Sequence, residues 1–396
     1  MEGQRRTLEG VKVADLSHAM AAPYASMLLA DQGADVIKIE NPRGDVFRVS
    51  LGGAYAAVIN RNKRAISLDL KKEEGKDALR KIIADSDVLI ESFTPGVIEK
   101  LGFGYEAVKK INPKIIYCSL SGFGQTGPYS KFGGYDVVAQ AMSGIMSCTG
   151  DADRPPVRVG PSIVDMGTGM YLHMGILLAL MDRERTGKGQ RVEVSLFETA
   201  MSWMSAFSVR YCMTGELPQR FGSGFLLFAP YQVYESSDGY AFIGVSTDNF
   251  WKKFCDAFDL KELFAREDFA NFKGRVAKRD EVNKLVQEAM KNYTSEDIIA
   301  RLRKAGVPCA PVNTVKDTLD DPHVKERGIM YSTNHPECGD ITFPRNPIFR
   351  DGKVPEVVSD SPKIGQNTRE VLKEVGYSDE QIDELIASGA AIDEKK

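Results

Sequence analysis

The stretch "VKVADLSHAMAAPYASMLLADQGADVIKIE", residues 11–40, decides the fold. Its two ends, "VKVADLS" (11–17) and "DVIKIE" (35–40), are short runs rich in Val and Ile that read as buried strands. Between them "PYASMLLADQGA" (23–34) has the length and apolar spacing of a helix. A strand, a helix and a second strand in this order form the crossover unit that lays two strands side by side in the same direction.

The pattern continues outward. "RAISLDL" (64–70), "VLIESF" (88–93) and "KIIYCSLSGFG" (114–124) read as further strands. "KEEGKDALRKIIADSD" (72–87) reads as a helix with Leu79, Ile82 and Ile83 on one face, and "PGVIEKLG" (95–102) opens another with Pro near its start. Repeated alternation predicts an α/β, Rossmann-like large domain built on a doubly wound parallel sheet. The loop after the first strand is where dinucleotide folds carry G-x-G-x-x-G. Here it reads "SHAMAAPYA", and Walker A is missing as well, so neither NAD nor ATP is the expected cofactor.

From about 231 the texture changes. "YQVYESSDGYAFIGVS" (231–246) reads as two strands around an Asp238–Gly239 turn. "NFWKKFCDAF" (249–258) and "SEDIIARLRKAG" (295–306) read as helices, followed by "VPCAPVNTV" (307–315). This is the expected smaller α+β domain, 216–330, after a large domain that begins in 1–215. The remainder, 331–396, is Pro-rich to about 362 and then reads as a helix pair, with "AIDEKK" (391–396) expected to fray.

A chain of 396 residues argues for two domains. Its net charge of -4 argues against a nucleic-acid partner. Six cysteines with no CxxC pair suggest neither a disulfide framework nor a zinc site, and the expectation is reduced thiols in the cytoplasm, with no metal. No apolar signal segment follows the charged start "MEGQRRTLEG". The longest apolar run, "MYLHMGILLALM" (170–181), falls short of the roughly 20 residues that cross a bilayer, so it is expected to be a core helix and no membrane partner is expected.

Five blocks, in register, resemble the family III CoA-transferases, the group of the formyl-CoA and crotonobetainyl/carnitine CoA-transferases. They are 8–42, "NRNKRAISLDL" (60–70), "DVLIESFTPGVIEKLGFGYE" (87–106), "SGFGQTGPYSKFGGYDVVAQAMSG" (121–144) and 169–200. The resemblance continues through "APYQVYESSDGY" and "GVPCAPVNTV". It implies coenzyme A as co-substrate, an acyl-CoA and a carboxylic acid as partners, and a homodimer of interlocked rings. It also implies that 331–396 returns to the large domain.

In the family pattern the catalytic aspartate is Asp165, in "RVGPSIVDMGTGMYL" (158–172). The resemblance implies that its carboxylate attacks the thioester, forming first a mixed anhydride and then an aspartyl-CoA thioester, a covalent division of one hard exchange into easier steps. Gly167 and Gly169 are expected to leave room for the acyl group, and the helix N-terminus to favour the ionised acid. The competing reading makes Asp165 a plain N-cap.

CoA contacts carry over to Met20, Ala21, Asn41, Leu68, Asp69, Leu70, Lys71, Ser92, Phe93, Thr94, Lys100, Phe132, Gly133, Gly134 and Tyr135. Asn41 stands where some relatives have Arg, and Arg43 is at hand to supply that charge. Lys100 replaces another frequent Arg. A Gly-rich lid in the family corresponds to "RFGSGFLLFAPY" (220–231), with only Gly222 and Gly224. His173 is expected to be a hydrogen-bonded core residue, and His18 is given no role. The same superfamily includes α-methylacyl-CoA racemases, whose histidine would stand at Tyr135; a phenol is a poor base near neutral pH. Transfer within one diacid, or CoA binding without catalysis, are the other readings.

Overall fold

The computed structural model describes residues 6–394. The first residues of the charged N-terminal stretch and the last two of the expected frayed tail lie outside the described residues. The chain divides into two compact units. The larger holds residues up to 145, 159–209 and 326 onward; the smaller holds 146–158 and 210–325. Residues 146–158, within the stretch 1–215 expected for the large domain, thus belong to the smaller unit, as do 210–215.

The larger unit is built on six parallel strands, β1 (Lys12–Asp15), β2 (Asp35–Glu40), β3 (Arg64–Leu68), β4 (Val88–Glu91), β5 (Ile116–Ser121) and β6 (Arg191–Ser195), in the spatial order β3-β2-β1-β4-β5-β6. That is the order of doubly wound nucleotide folds, in which the chain reverses direction across the sheet between β1 and β4. The inner strands are covered on both faces: β4 and β5 are wholly buried. Helices α1 (Ala21–Asp31), α2 (Glu73–Ala84), α3 (Asp136–Ser143), α4 (Ile163–Thr186) and α5 (Leu196–Trp203) accompany the sheet.

Helix α2 follows its sequence pattern. Leu79, Ile82 and Ile83 pack with Ile66, Leu68, Leu89 and Tyr117 in one core, each contributing about 1.5–3 kcal/mol by leaving water. The C-terminal helices Thr368–Glu374 and Asp379–Ala387 add Val371, Leu372, Ile382 and Leu385 to the same core. Two features were not expected. Met330–His335 and Gly339–Pro344 form an antiparallel hairpin in the Pro-rich segment. Ala391–Ile392, in the tail expected to fray, pairs antiparallel with β3 and closes that edge of the sheet.

At 24 residues α4 is longer than the apolar run that marked it, and by length and composition alone it could cross a membrane. Here it packs along α1, β6 and α5. His173 is buried on its inner face, with Nε2 3.5 Å from the Gln32 amide.

The smaller unit carries a three-stranded antiparallel sheet, β7 (Tyr231–Glu235), β8 (Tyr240–Gly244) and β9 (Cys309–Pro311), with the expected hairpin at Asp238–Gly239. Helices α6 (Asp248–Ala257), α7 (Arg279–Met290) and α8 (Ser295–Ala305) bury Trp251, Phe254, Val286 and Leu302 against it.

Candidate active site

Asp165 is the third residue of α4. Its side chain does not cap the helix. That work falls to Asp136, the first residue of α3, whose Oδ2 accepts the amides of Val164 at 2.8 Å and Asp165 at 3.3 Å. Asp136 is buried, and its Oδ1 accepts from Gln140 Nε2 at 2.5 Å. Gln140 in turn accepts the Val159 amide at 2.9 Å, which ties the approach to α4 to α3. Among the described residues the Asp165 carboxylate has no hydrogen-bond or ion-pair partner. Burial, and then the Asp136 charge, push it up to about 7. The expectation that the helix N-terminus would hold Asp165 ionised is therefore corrected, because another carboxylate already occupies that electropositive end.

The two glycines also serve a different purpose from the one expected. A Cβ on Gly167 would stand 2.2 Å from the Trp203 ring, and one on Gly169 would stand 2.5 Å from the carbonyl oxygen of Ala21. They let α5 and the start of α1 approach α4, so Ala21 sits against α4 one turn beyond Asp165. Phe132 and Tyr135 are exposed on the segment that leads into α3, ending next to Asp136. Gly134 is held against the backbone of Gly122, and Gly133 faces open space.

A cavity of about 500 Å³ opens at the C-terminal ends of β1, β2, β3 and β4. This is where ligands sit in doubly wound sheets, across the reversal in strand order. Asn41, Leu68, Asp69, Leu70, Lys71 and Phe93 line it, together with Leu16, Ile39 and Leu101. Leu16, Ile39, Val46, Leu68, Leu70, Phe93 and Leu101 make its apolar wall, and Ser17, His18, Glu40, Asn41, Asp45, Asp69 and Lys71 are the polar residues that line it. Arg43 and Thr94 are exposed and off the wall, and Lys100 is exposed beside Leu101. Ser92 stands behind the wall, accepting the His18 amide at 3.0 Å and lying 3.2 Å from His18 Nδ1. Of the expected contacts, Asn41, Leu68, Asp69, Leu70, Lys71 and Phe93 line the cavity, and Tyr135 adjoins the Asp136 that caps the Asp165 helix.

His18 was given no role from the sequence, and Asp45 and Asp136 were not singled out. His18 lines the cavity beside Phe93, ring centroids 5.5 Å apart; desolvation and then the Lys38 ammonium hold its imidazole below the usual range. Asp45 lines the same wall and accepts the Ala19 amide at 2.8 Å. Asp136 directly follows the quoted Tyr135, and an acid in the first turn of a helix was the available signal.

The segment matched to the family lid is pinned inside the smaller unit. Arg279 donates to the carbonyls of Phe225, Leu226 and Phe228 at 2.6–2.8 Å. Gly222 has φ +59° and donates its amide to Gly150. No group of His, Cys, Asp or Glu among the described residues is arranged to hold a metal ion.

The pattern of CoA-transferase family III matches residues 8–368. The chain is a family III CoA-transferase. This CoA-transferase is 34% identical over 388 residues to the succinate–glutarate CoA-transferase of Agrobacterium fabrum, covering 95% of this chain and 97% of that one. It is 34% identical over 408 residues to the formyl-CoA:oxalate CoA-transferase of Streptomyces coelicolor, covering 97% and 99%. The crystal structure of a CAIB/BAIF family protein from Brucella suis shares its fold with a TM-score of 0.85 and 38% identity, over 94% of this chain and all of that one. The CoA-transferase moves CoA between carboxylic acids and uses CoA as its co-substrate.

Proposed function

We propose that this CoA-transferase exchanges CoA between small dicarboxylic acids, with Asp165 as the covalent carrier. The observation that carries the reading is a half-buried carboxylate with no partner among the described residues, at the head of a helix whose first amides are already satisfied. Such a group is held in place without being committed to a structural bond. The substrate class rests on the acids for which the relatives are named, succinate with glutarate and oxalate.

In the proposed cycle an Asp165 oxygen attacks the thioester carbonyl, the C–S bond breaks and CoA thiolate leaves. The thiolate attacks Cγ of Asp165 in the resulting anhydride, releasing the first acid as its carboxylate. The acceptor carboxylate then displaces the thiolate from Cγ, and the thiolate attacks the acceptor's acyl carbon, which regenerates Asp165 and the new acyl-CoA. No net proton or electron is exchanged. We place the adenosine part of CoA in the cavity, its ring between Leu68 and Phe93, with Lys71 toward phosphate. The pantetheine arm follows residues 16–21 toward Asp165.

Trapping tests this reading. Incubation with succinyl-CoA and hydroxylamine, followed by peptide mass spectrometry, converts Asp165 to its hydroxamate; a trapped protein unmodified at Asp165 ends the proposal. Exchange of the α-proton in D₂O without an acceptor acid would instead favour the racemase chemistry.

A homodimer, interlocked as in the resemblance, and a cytoplasmic setting belong to the same proposal. Helix α4 leaves Met170, Tyr171, Met174, Leu178 and Met181 exposed along one side, an apolar stripe that a second copy would cover. All six thiols are free. Light scattering that gives the mass of one chain would remove the dimer.

A further inference from the structure

The segment that joins β1 to α1 links both halves of the site. It carries His18 on the cavity wall and leads into Ala21 against α4. It also contains Ala19 at φ +65°, a left-handed conformation that a residue with a Cβ keeps only when its surroundings impose it.

Two lysines hold its ends. Lys38 of β2 donates to the carbonyl of Ser17, where the segment begins. Lys63, just before β3, donates to the carbonyl of Pro23 at 3.0 Å, where the segment has become helix, and to Asn60 Oδ1 at 3.1 Å. Asp15, the last residue of β1, lies between them, 3.9 Å from Lys38 and 3.2 Å from Lys63. It also accepts from the Ser17 amide at 3.0 Å, the Ser17 hydroxyl and the Ser26 hydroxyl at 2.6 Å. All three charged side chains are fully buried.

Buried ion pairs are a weak source of stability, since apolar side chains of the same size often serve as well, and specifying one conformation is a use for them that has to be shown in each protein. We propose that Lys38, Asp15 and Lys63 are positioning residues for CoA transfer: they clamp both ends of the 17–23 segment in the single conformation that aligns the cavity wall with the Asp165 helix. None of the three is required to touch substrate.

The clamp has a built-in pH limit. Burial lowers Lys63 to about 8, against the opposing pull of Asp15. The other charged groups that act on it are Lys38 and Glu40 of β2, Glu40 being held by Arg48 at 2.5 Å; Lys38 in turn acts on His18, which Asp45 also faces. As pH rises past about 8, Lys63 loses the charge that strengthens its bonds to Asp15 and Pro23.

The test compares wild type with Lys63→Met and Asp15→Asn. Steady-state transfer from succinyl-CoA to glutarate is measured together with hydrogen exchange of the 16–24 peptide. Lys63→Met is expected to lower kcat by about tenfold or more with a smaller rise in KM, and to speed exchange of the 17–22 amides while β1 keeps its protection. In wild type the same loosening, corrected for intrinsic exchange, is expected between about pH 7 and pH 9, together with an alkaline fall in kcat. Asp15→Asn removes the carboxylate that supports the Lys63 charge, so it should move both changes to lower pH, a displacement that loss of stability alone does not produce. A folded Lys63→Met enzyme with wild-type kcat overturns the proposal. Unchanged protection of 17–22 in wild type across this pH range also overturns it, and that measurement decides alone if the variants do not fold.

Discussion

Asp136 accepts the amide of Asp165 at 3.3 Å, so one carboxylate completes the helix that presents the other. The arrangement separates two tasks that a lone acid at a helix start would have to combine. Asp136 is satisfied by two amides and Gln140. Asp165, without a partner among the described residues, is pushed up to about 7 by burial and then by that neighbouring charge. An acid of this kind is a stronger nucleophile once ionised than one with an ordinary carboxylate pKa.

The acid limb of catalysis should report Asp165. Only the ionised form attacks a thioester, so kcat/KM is expected to rise with pH and reach half its plateau near the value of about 7. A limb centred near pH 4 would show that Asp165 does not titrate as its surroundings dictate.

Replacing Asp136 with Asn keeps an acceptor for the helix amides and removes the charge. The limb should then move to lower pH, by about half a unit or more, since burial, the larger cause, persists. Asp136→Ala should in addition lose about 1 kcal/mol of stability with the cap. Thermal unfolding and pH–rate profiles of the two variants separate the effects.

Asp165 itself should destabilise the fold at neutral pH. Folded Asp165 keeps its proton to about pH 7, while the ordinary value is 3.8. Between these limits the folded state binds more protons, so the contribution of Asp165 to stability falls as pH rises through that window. Asp165→Asn is therefore expected to be more stable than wild type by about 1–3 kcal/mol above pH 7 and no more stable below about pH 4. Denaturant unfolding at both pH values checks the sign.

Gly167 and Gly169 predict a structural loss. Gly169→Ala drives a methyl into the α1 backbone at Ala21, and Gly167→Ala drives one into the Trp203 ring. Each should cost about 1–3 kcal/mol, and the Gly169 variant the more, because a backbone atom cannot rotate away. Equal melting temperatures for wild type and Gly169→Ala would contradict the close approach.

Much of the larger unit is legible in its residues. β2 lies at the expected 35–40, and α2 begins and ends within a few residues of its expected bounds, since Val- and Ile-rich runs and a one-sided apolar face each admit one periodicity. The hairpin at 330–344 was hidden because "YSTNHPECGDITFP" mixes polar alternation with prolines, a texture that loops share. The role of Asp136 was hidden for another reason: it depends on two amides 28 and 29 residues further on. The cavity posed the same difficulty, because its wall gathers residues from the ends of four strands. Asp165 was visible only through resemblance, as nothing local separates it from an N-cap.

The antiparallel pairing of Ala391–Ile392 with β3 has a consequence for making the protein. The large sheet stays open on that side until Ala391 and Ile392 have been synthesised, and an open strand edge invites pairing with other chains. Versions cut before Ala391 should clump during expression, because they lack the strand that covers this edge.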